Sequence, residues 1–153
     1  MPMNDTRQDF HFKTEDETIG FAQSLAERLT VGMPLLLSGP VGAGKSLVAR
    51  TIIQHLLAKE GRTEDVPSPT FTLVQVYDLT SGEIWHCDLY RLGNPGEAFE
   101  LGLDEAMENQ LCLIEWPDRL GDLMPKQAIS LTLKYQGKGR HAQLVVPTGW
   151  GQI

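Results

Sequence analysis

The chain has few cysteines, and neither of them lies in a pattern that builds a site. Only Cys87 and Cys112 occur, without a CxxC pair or a cysteine–histidine spacing typical of zinc ligands. Each lies in an apolar, strand-like run. We therefore disfavour a disulfide or zinc role and predict two small buried hydrophobes in a reducing compartment.

Basic residues are also in deficit. Lys and Arg number 13 against 20 Asp and Glu, which gives a net charge of −7. A domain that holds nucleic acid by itself needs clustered basic residues to neutralise phosphates. The charge balance argues against such a domain, and any RNA is expected to be held mainly by another molecule.

Long apolar runs are missing too. No run approaches the roughly 20 residues that span a bilayer, and the N-terminal region carries acids where a leader would be basic and then apolar. We predict a cytoplasmic protein without membrane contact. A length of 153 residues and a hydrophobic share of 41% predict a single domain over residues 1–153, in which the polar residues 1–8 are frayed.

What the sequence does contain is an uninterrupted GxxxxGK[ST] motif from Gly39 to Ser46. An apolar run at 34–38 precedes it as a strand, and residues 47–57 follow as a helix, which is the order of a phosphate-binding loop rather than of a simple glycine-rich turn. Backbone N–H groups and the helix N-terminus face phosphate, Lys45 reaches the β- and γ-phosphates, and Ser46 ligates Mg²⁺. The predicted nucleotide contacts are Gly39, Val41, Gly42, Ala43, Gly44, Lys45, Ser46 and Leu47.

The elements predicted around this motif form a mixed sheet. A capping box at Thr14 and Glu17 begins the first helix, and Gly32 closes it. Alternation, turn residues and apolar runs give the remaining elements. Before the motif we predict an edge strand at 9–13 and a helix at about 15–30. After the motif and its helix we predict a hairpin of 73–77 and 83–90, a short helix at 94–101, a strand at 111–115 and a hairpin of 129–135 and 140–146. We predict an α/β P-loop NTPase fold, with a sheet that is parallel around the loop and antiparallel elsewhere and is flanked by helices.

Two carboxylates end predicted strands, Asp88 and Glu115. Nucleotide hydrolysis needs an acid in the Mg²⁺ shell and a group that orients the attacking oxygen. Glu115 follows four apolar residues, as a Walker B acid does, yet it could equally act as a base towards water, and Asp88 competes for the metal position. Each could instead be a solvated strand-end acid. We treat both as candidate catalytic residues and metal ligands.

Four more residues near these motifs are candidates. Thr70 lies in a proline-stiffened loop at 67–72, which is either a simple connector or a switch that brings the hydroxyl to Mg²⁺ or the γ-phosphate. Arg91 either neutralises phosphate or pairs with a surface acid, so no second cation is assured beside Lys45. His86 shares a strand face with Asp88 and is interpreted as a satisfied sheet histidine rather than a metal ligand. Trp116 either walls the nucleotide site or covers core, with core slightly preferred.

An acidic segment at 97–108 contains no Lys or Arg. Such a run is usually a solvated face, and the alternative is a surface that docks on a partner.

Four ordered motifs, at 39–46, 68–72, 86–92 and 115–119, resemble the TsaE family of small bacterial ATPases, which are required for threonylcarbamoyladenosine synthesis on tRNA. The resemblance extends weakly over both ends, including residues 100–103. It implies ATP and Mg²⁺ as cofactors and a complex with the proteins TsaB and TsaD. In that complex TsaD attaches the threonylcarbamoyl group to adenosine 37 of tRNA, so tRNA is met only indirectly.

The resemblance also implies roles for individual residues. Lys45 and Ser46 bind nucleotide and metal, Thr70 belongs to a switch loop, and Asp88 and Glu115 are the important acids. Two departures are small: Pro40-Val41 replaces an acidic-Leu pair, and Ser46 replaces Thr. Both keep the backbone cradle and the hydroxyl.

Two other functions compete with a slow ATPase. A small-molecule phosphotransferase usually carries an Arg-rich lid, whereas the seven arginines here are scattered and no insertion is large enough for a lid. A regulatory module that binds nucleotide without hydrolysis would not need two acids at strand ends. The residues do not identify the adenine pocket or the partner surface.

Overall fold

The computed structural model describes residues 6–150, in which seven strands form one sheet with the order β1-β7-β6-β2-β5-β4-β3. The strands are β1 (Thr6–Phe12), β2 (Leu35–Ser38), β3 (Val74–Leu79), β4 (Gly82–Asp88), β5 (Leu111–Glu115), β6 (Ile129–Gln136) and β7 (Gly139–Val146). The neighbours β6, β2, β5 and β4 run parallel, and β1, β7 and β3 add antiparallel pairs. The predicted mixed sheet and P-loop fold class are confirmed.

Helices cover both faces of this sheet. They are α1 (Glu15–Ala26), α2 (Lys45–Ala58), α3 (Pro95–Glu100) and α4 (Leu103–Asn109), with a 3₁₀ segment at Pro117–Leu123. One core lies between the sheet and α1 and α2, and the other lies under α3, α4 and the 3₁₀ segment. The alternation of β5 serves both, since Leu111 and Leu113 point to the first core while Cys112 and Ile114 point to the second.

The start of α1 follows the predicted capping signal. Thr14 Oγ1 accepts the backbone N–H of Glu17 at 3.3 Å, and the Glu17 carboxylate accepts the N–H of Lys13 at 3.2 Å. The helix ends at Ala26, earlier than the predicted residue 30. The helical spacing of apolar residues in the sequence extends to Leu29 because Leu29 also packs against the first core, although it lies beyond the end of the helix.

Two predictions about the rest of the chain were wrong or incomplete. Residues 6–8 of the segment predicted to be frayed belong to β1, which pairs with β7 from Thr6 opposite Val146 onwards; residues 1–5 lie outside the described part. The 97–108 segment contains a helix, α4, that was not predicted. Its buried residues Leu103, Ala106 and Met107 follow helical spacing, while most of the surrounding acids are exposed.

Within residues 6–150, no helix combines the length and the apolar character that a membrane crossing requires.

Both cysteines are buried in the second core and are free thiols. Burial raises the pKa of Cys112 to about 12 and raises the pKa of Cys87 well above its ordinary value. The thiolate is the reactive form, so neither side chain offers a nucleophile near neutral pH.

We predict that the folded protein reacts negligibly with a thiol reagent such as DTNB at mildly alkaline pH, because both thiols are inaccessible and protonated. Two thiols per chain should be titrated after unfolding in guanidinium chloride. Rapid release of one equivalent from the native protein would contradict the burial of the cysteines.

Candidate functional site

The carboxyl ends of β2, β4 and β5 meet at one edge of the sheet. In the strand register Glu115 lies opposite Leu37 on one side and Asp88 on the other, so Glu115 lies beside the strand from which the P-loop departs and Asp88 lies one strand further away. A cleft of about 620 Å³ opens at this edge. It is lined by residues 41–47 of the loop and by Thr70, Asp88, Glu115 and Trp116 among others, which brings most of the predicted site residues together.

The P-loop is packed closely against β6. Gly39 has a φ of +140°, and a Cβ there would collide with the carbonyl oxygen of Leu133. Gly42 has a φ of +82°, and a Cβ there would collide with the hydroxyl of Tyr135. Gly39 is required because backbone blocks any side chain there, and Gly42 is favoured because its positive φ strains residues that carry a Cβ.

Lys45, the predicted phosphate ligand, lies folded over its own loop. Its ammonium donates to the carbonyl of Pro40 at 3.0 Å and also to that of Gly39, and it lies 4.3 Å from the ring centroid of Trp116. Burial lowers the pKa of the ammonium below its usual value, while the charges of Glu115 and Asp88 oppose this shift. A positive charge is thus held at the loop, close to two carboxylates.

Glu115 is bonded through both of its oxygens. Ser46 Oγ donates to Oε1 at 2.9 Å, and His86 Nε2 donates to Oε2 at 2.7 Å. The side chains of His86 and Glu115 are each only 2% exposed. A P-loop hydroxyl beside a strand-end acid is the arrangement that holds Mg²⁺ in P-loop NTPases.

Asp88 is tied instead to the proline loop at 67–72. Thr70 Oγ1 donates to Oδ2 at 2.9 Å, and the N–H of Tyr90 donates to Oδ1 at 3.1 Å. The hydroxyls of Ser68 and Thr70 are 2.8 Å apart and extend this chain. The two acids therefore have different neighbours: Glu115 contacts the P-loop helix, and Asp88 contacts the loop that was predicted to switch.

The oxygen ligands in this cleft fit Mg²⁺ together with a nucleotide. Mg²⁺ prefers carboxylate and hydroxyl oxygens and usually completes its shell with water and phosphate rather than with a full protein cage. Ser46, Asp88 and Glu115 supply such oxygens. Within the described residues no cluster of three or more His, Cys, Asp or Glu side chains could hold a metal ion.

Three other predicted residues have mixed outcomes. Arg91 does not line the cleft, and its guanidinium lies 4.9 Å from the ring centroid of Phe71 in the proline loop. Trp116 both lines the cleft and packs on the second core. His86, interpreted as a satisfied sheet histidine, bonds to Glu115 through Nε2, and its buried Nδ1 has no hydrogen-bond partner among the described residues.

Sequence patterns did not reveal a second wall of the cleft, which comes from residues 12–15 and 18 and from the end of the β6–β7 hairpin. Tyr135 Oη donates to the carbonyl of Val41 at 2.6 Å, and Arg140 Nη2 donates to that of Gly42 at 3.2 Å. Arg140 also lies 4.5 Å from the ring centroid of Tyr135, its cross-strand partner. The hairpin was predicted, but only the position of β6 beside β2 brings its end to the P-loop.

Comparisons with known proteins identify relatives of this chain. A family model described as "Threonylcarbamoyl adenosine biosynthesis protein TsaE" matches residues 12–143. Two similar curated proteins, both called "tRNA threonylcarbamoyladenosine biosynthesis protein TsaE", come from Rickettsia bellii and Haemophilus influenzae. The first is 41% identical over 79% of this chain and 82% of its own length. The second is 34% identical over 76% of this chain and 72% of its own length.

A solved structure shares the fold. The crystal structure of YdiB from Bacillus subtilis superposes with a TM-score of 0.75 at 24% identity, over 94% of this chain and 87% of that one. The family model spans most of the described residues, and the curated relatives are well over 30% identical across most of their own length. The chain therefore belongs to the TsaE family.

Proposed function

We propose that this protein is a Mg²⁺-dependent ATPase that hydrolyses ATP slowly and supports threonylcarbamoyladenosine formation at position 37 of tRNA, in a complex with TsaB and TsaD. The observation that carries the ATPase proposal is the bond between Ser46 and the buried carboxylate of Glu115 at the end of a central strand. The names of the relatives, which refer to tRNA threonylcarbamoyladenosine biosynthesis, support the pathway.

In this proposal the P-loop binds the phosphates and Lys45 supplies positive charge to them. Lys45 must exchange the carbonyls of Gly39 and Pro40 for phosphate oxygens, and the phosphate charge favours that exchange. Ser46, with Glu115 behind it, would hold Mg²⁺. When bound, the ion neutralises charge on the β- and γ-phosphate oxygens.

We assign the two acids different roles because their neighbours differ. Glu115 is the metal-side acid, because its partner is the P-loop hydroxyl. Asp88 is the acid that orients the attacking water, because its partner Thr70 lies on the loop that can order around the γ-phosphate. The side-chain contacts support this division of the roles that the sequence analysis left open.

The cations around the cleft favour slow hydrolysis by the isolated protein. Lys45 interacts with both acids. Arg91 lies over Phe71, however, and Arg140 is bonded to a loop carbonyl, so both arginines are engaged away from the acids. P-loop enzymes without an arginine at the transferring phosphate are slow until a partner supplies or positions one.

The surface favours indirect contact with tRNA. The net charge is −7. Exposed acids lie on α3 and α4: Glu100, Asp104, Glu105 and Glu108. Such a surface repels a phosphate backbone and attracts a basic protein surface. We therefore propose that the 97–108 segment docks on a partner protein. A cytoplasmic location stays a prediction.

We predict that Lys45→Ala weakens ATP binding about tenfold or more, because a charged contact with phosphate is worth roughly 1.5–3 kcal/mol. Titration calorimetry measures the affinity, and a thermal melt checks the fold. Lys59→Ala is the matched control. Lys59 follows the last residue of α2 and forms an ion pair with Glu27 on the surface, with an N–O distance of 2.7 Å. Equal ATP affinities of the two variants would refute the P-loop assignment.

We predict that Asp88→Asn and Glu115→Gln lower kcat by about 10- to 100-fold while ATP affinity changes much less, because both acids act chiefly in the transition state. Phosphate release under saturating ATP measures kcat. Asp78→Asn, an exposed change on β3, is the control. An acid whose variant hydrolyses ATP at the normal rate has no catalytic role.

We predict that free phosphate is released slowly by the protein alone and more than about tenfold faster with TsaB and TsaD present. γ-Labelled ATP shows whether the label appears as free phosphate or on an acceptor, which separates an ATPase from a phosphotransferase. Counting modified tRNA per ATP consumed tests the link to tRNA. Fast hydrolysis that the partners do not change would contradict the proposal.

A further inference from the structure

We propose that His86 is a positioning residue that fixes the carboxylate of Glu115 against Ser46 and away from Lys45. The inference rests on the proposed function. It concerns a buried histidine that neither binds a predicted ligand nor lines the cleft.

The first observation is the geometry of the Glu115 carboxylate. Its two oxygens receive donors from opposite elements, Ser46 at the start of α2 and His86 on β4. A carboxylate held through one oxygen can still rotate about that contact, whereas donors on both oxygens fix its plane. Because a carboxylate only accepts, Nε2 of His86 carries the proton of this bond.

The second observation is that, within the described residues, only one of the two nitrogens of the imidazole has a hydrogen-bond partner. Its Nδ1 is buried and has no hydrogen-bond partner among residues 6–150, and such an atom destabilises the folded state. A leucine would fill similar space without this penalty. The contact from Nε2 to Glu115 is what a histidine adds at this position, so that contact explains the residue better than packing does.

The third observation is the competing attraction of Lys45. The ammonium of Lys45 and the carboxylate of Glu115 have opposite charges and line the same cleft. A Glu115 released from His86 would be free to turn towards this ammonium. Glu115 and Lys45 would then pair with each other instead of binding metal and phosphate. The hydrogen bond from His86 therefore keeps Glu115 available for the metal and Lys45 available for the phosphate.

The test compares His86→Gln with His86→Asn. The amide nitrogen of glutamine lies where Nε2 lies and can donate to Glu115, whereas asparagine is one methylene too short. We expect His86→Asn and His86→Leu to lower kcat by about 10- to 100-fold, the usual effect of losing a partner of a metal ligand, and His86→Gln to restore most of it. His141→Leu is the control, since it removes a histidine–carboxylate pair of 3.0 Å outside the cleft.

A second readout does not need turnover. The affinity for a fluorescent ATP analogue is measured over a range of Mg²⁺ concentrations, and the Mg²⁺ concentration for half-maximal binding should rise about tenfold or more in His86→Asn but not in His86→Gln. In a Glu115→Gln background His86→Asn should add little, because the two residues act as a unit. Equal behaviour of the Asn and Gln variants, or full additivity with Glu115→Gln, would overturn the proposal.

Failure of the proposed function gives a different result. If wild type and His141→Leu release no phosphate even with partners present, the ATPase proposal is wrong, while the Mg²⁺ dependence of analogue binding still decides the role of His86. If wild type hydrolyses ATP and the Asn variant equals it, only the role of His86 is wrong. Thermal melts show whether each variant is folded.

Discussion

A charged carboxylate enclosed by protein has to be compensated by hydrogen bonds, and in this protein that requirement falls on Glu115. Its partners come from separate parts of the chain, with Ser46 opening α2 and His86 lying on β4. The strand β5 brings the acid between them, next to the strand that ends in the P-loop. A shift of any of these elements would leave a buried charge or donor unpaired. One carboxylate therefore links the P-loop helix to two of the parallel strands.

The neighbouring acid connects the same edge of the sheet to the molecular surface. Asp88 accepts the hydroxyl of Thr70, and the next residue, Phe71, is 85% exposed beneath the guanidinium of Arg91. Leu73 ends this loop with a φ of +67°, an uncommon value for a residue with a side chain. If the backbone at Thr70 shifts to bring the hydroxyl from Asp88 to a new partner, the adjacent exposed ring of Phe71 shifts with it. In the ATPase that we propose, this is a short route from the nucleotide to a protein surface.

Local patterns predicted the parts of this molecule that depend on local physics. The glycines and Lys45 of the loop, the apolar run before Glu115 and the two hairpins each have a signature within a few neighbouring residues. The contacts that were missed join distant residues: His86 and Glu115 are 29 positions apart, and Arg140 lies 98 positions from Gly42. The helix α4 was not predicted because its apolar face consists of only three residues, Leu103, Ala106 and Met107, within an acidic segment. Strand order decides such contacts, and one sequence contains no direct record of strand order.

The contacts of the β6–β7 hairpin with the P-loop have a consequence for the folding of this protein during its synthesis on the ribosome. Val41 and Gly42 are held by Tyr135 and Arg140, and β7 in turn pairs with β1 at the other end of the chain. The phosphate-binding loop therefore leaves the ribosome long before the residues that fix its shape. Contacts of such high sequence separation form late in folding, after the loop-closure entropy has been overcome. A nascent chain that still lacks β6 and β7 has the P-loop motif without a rigid nucleotide cradle, so tight nucleotide binding marks a chain in which both of these strands have been made and paired.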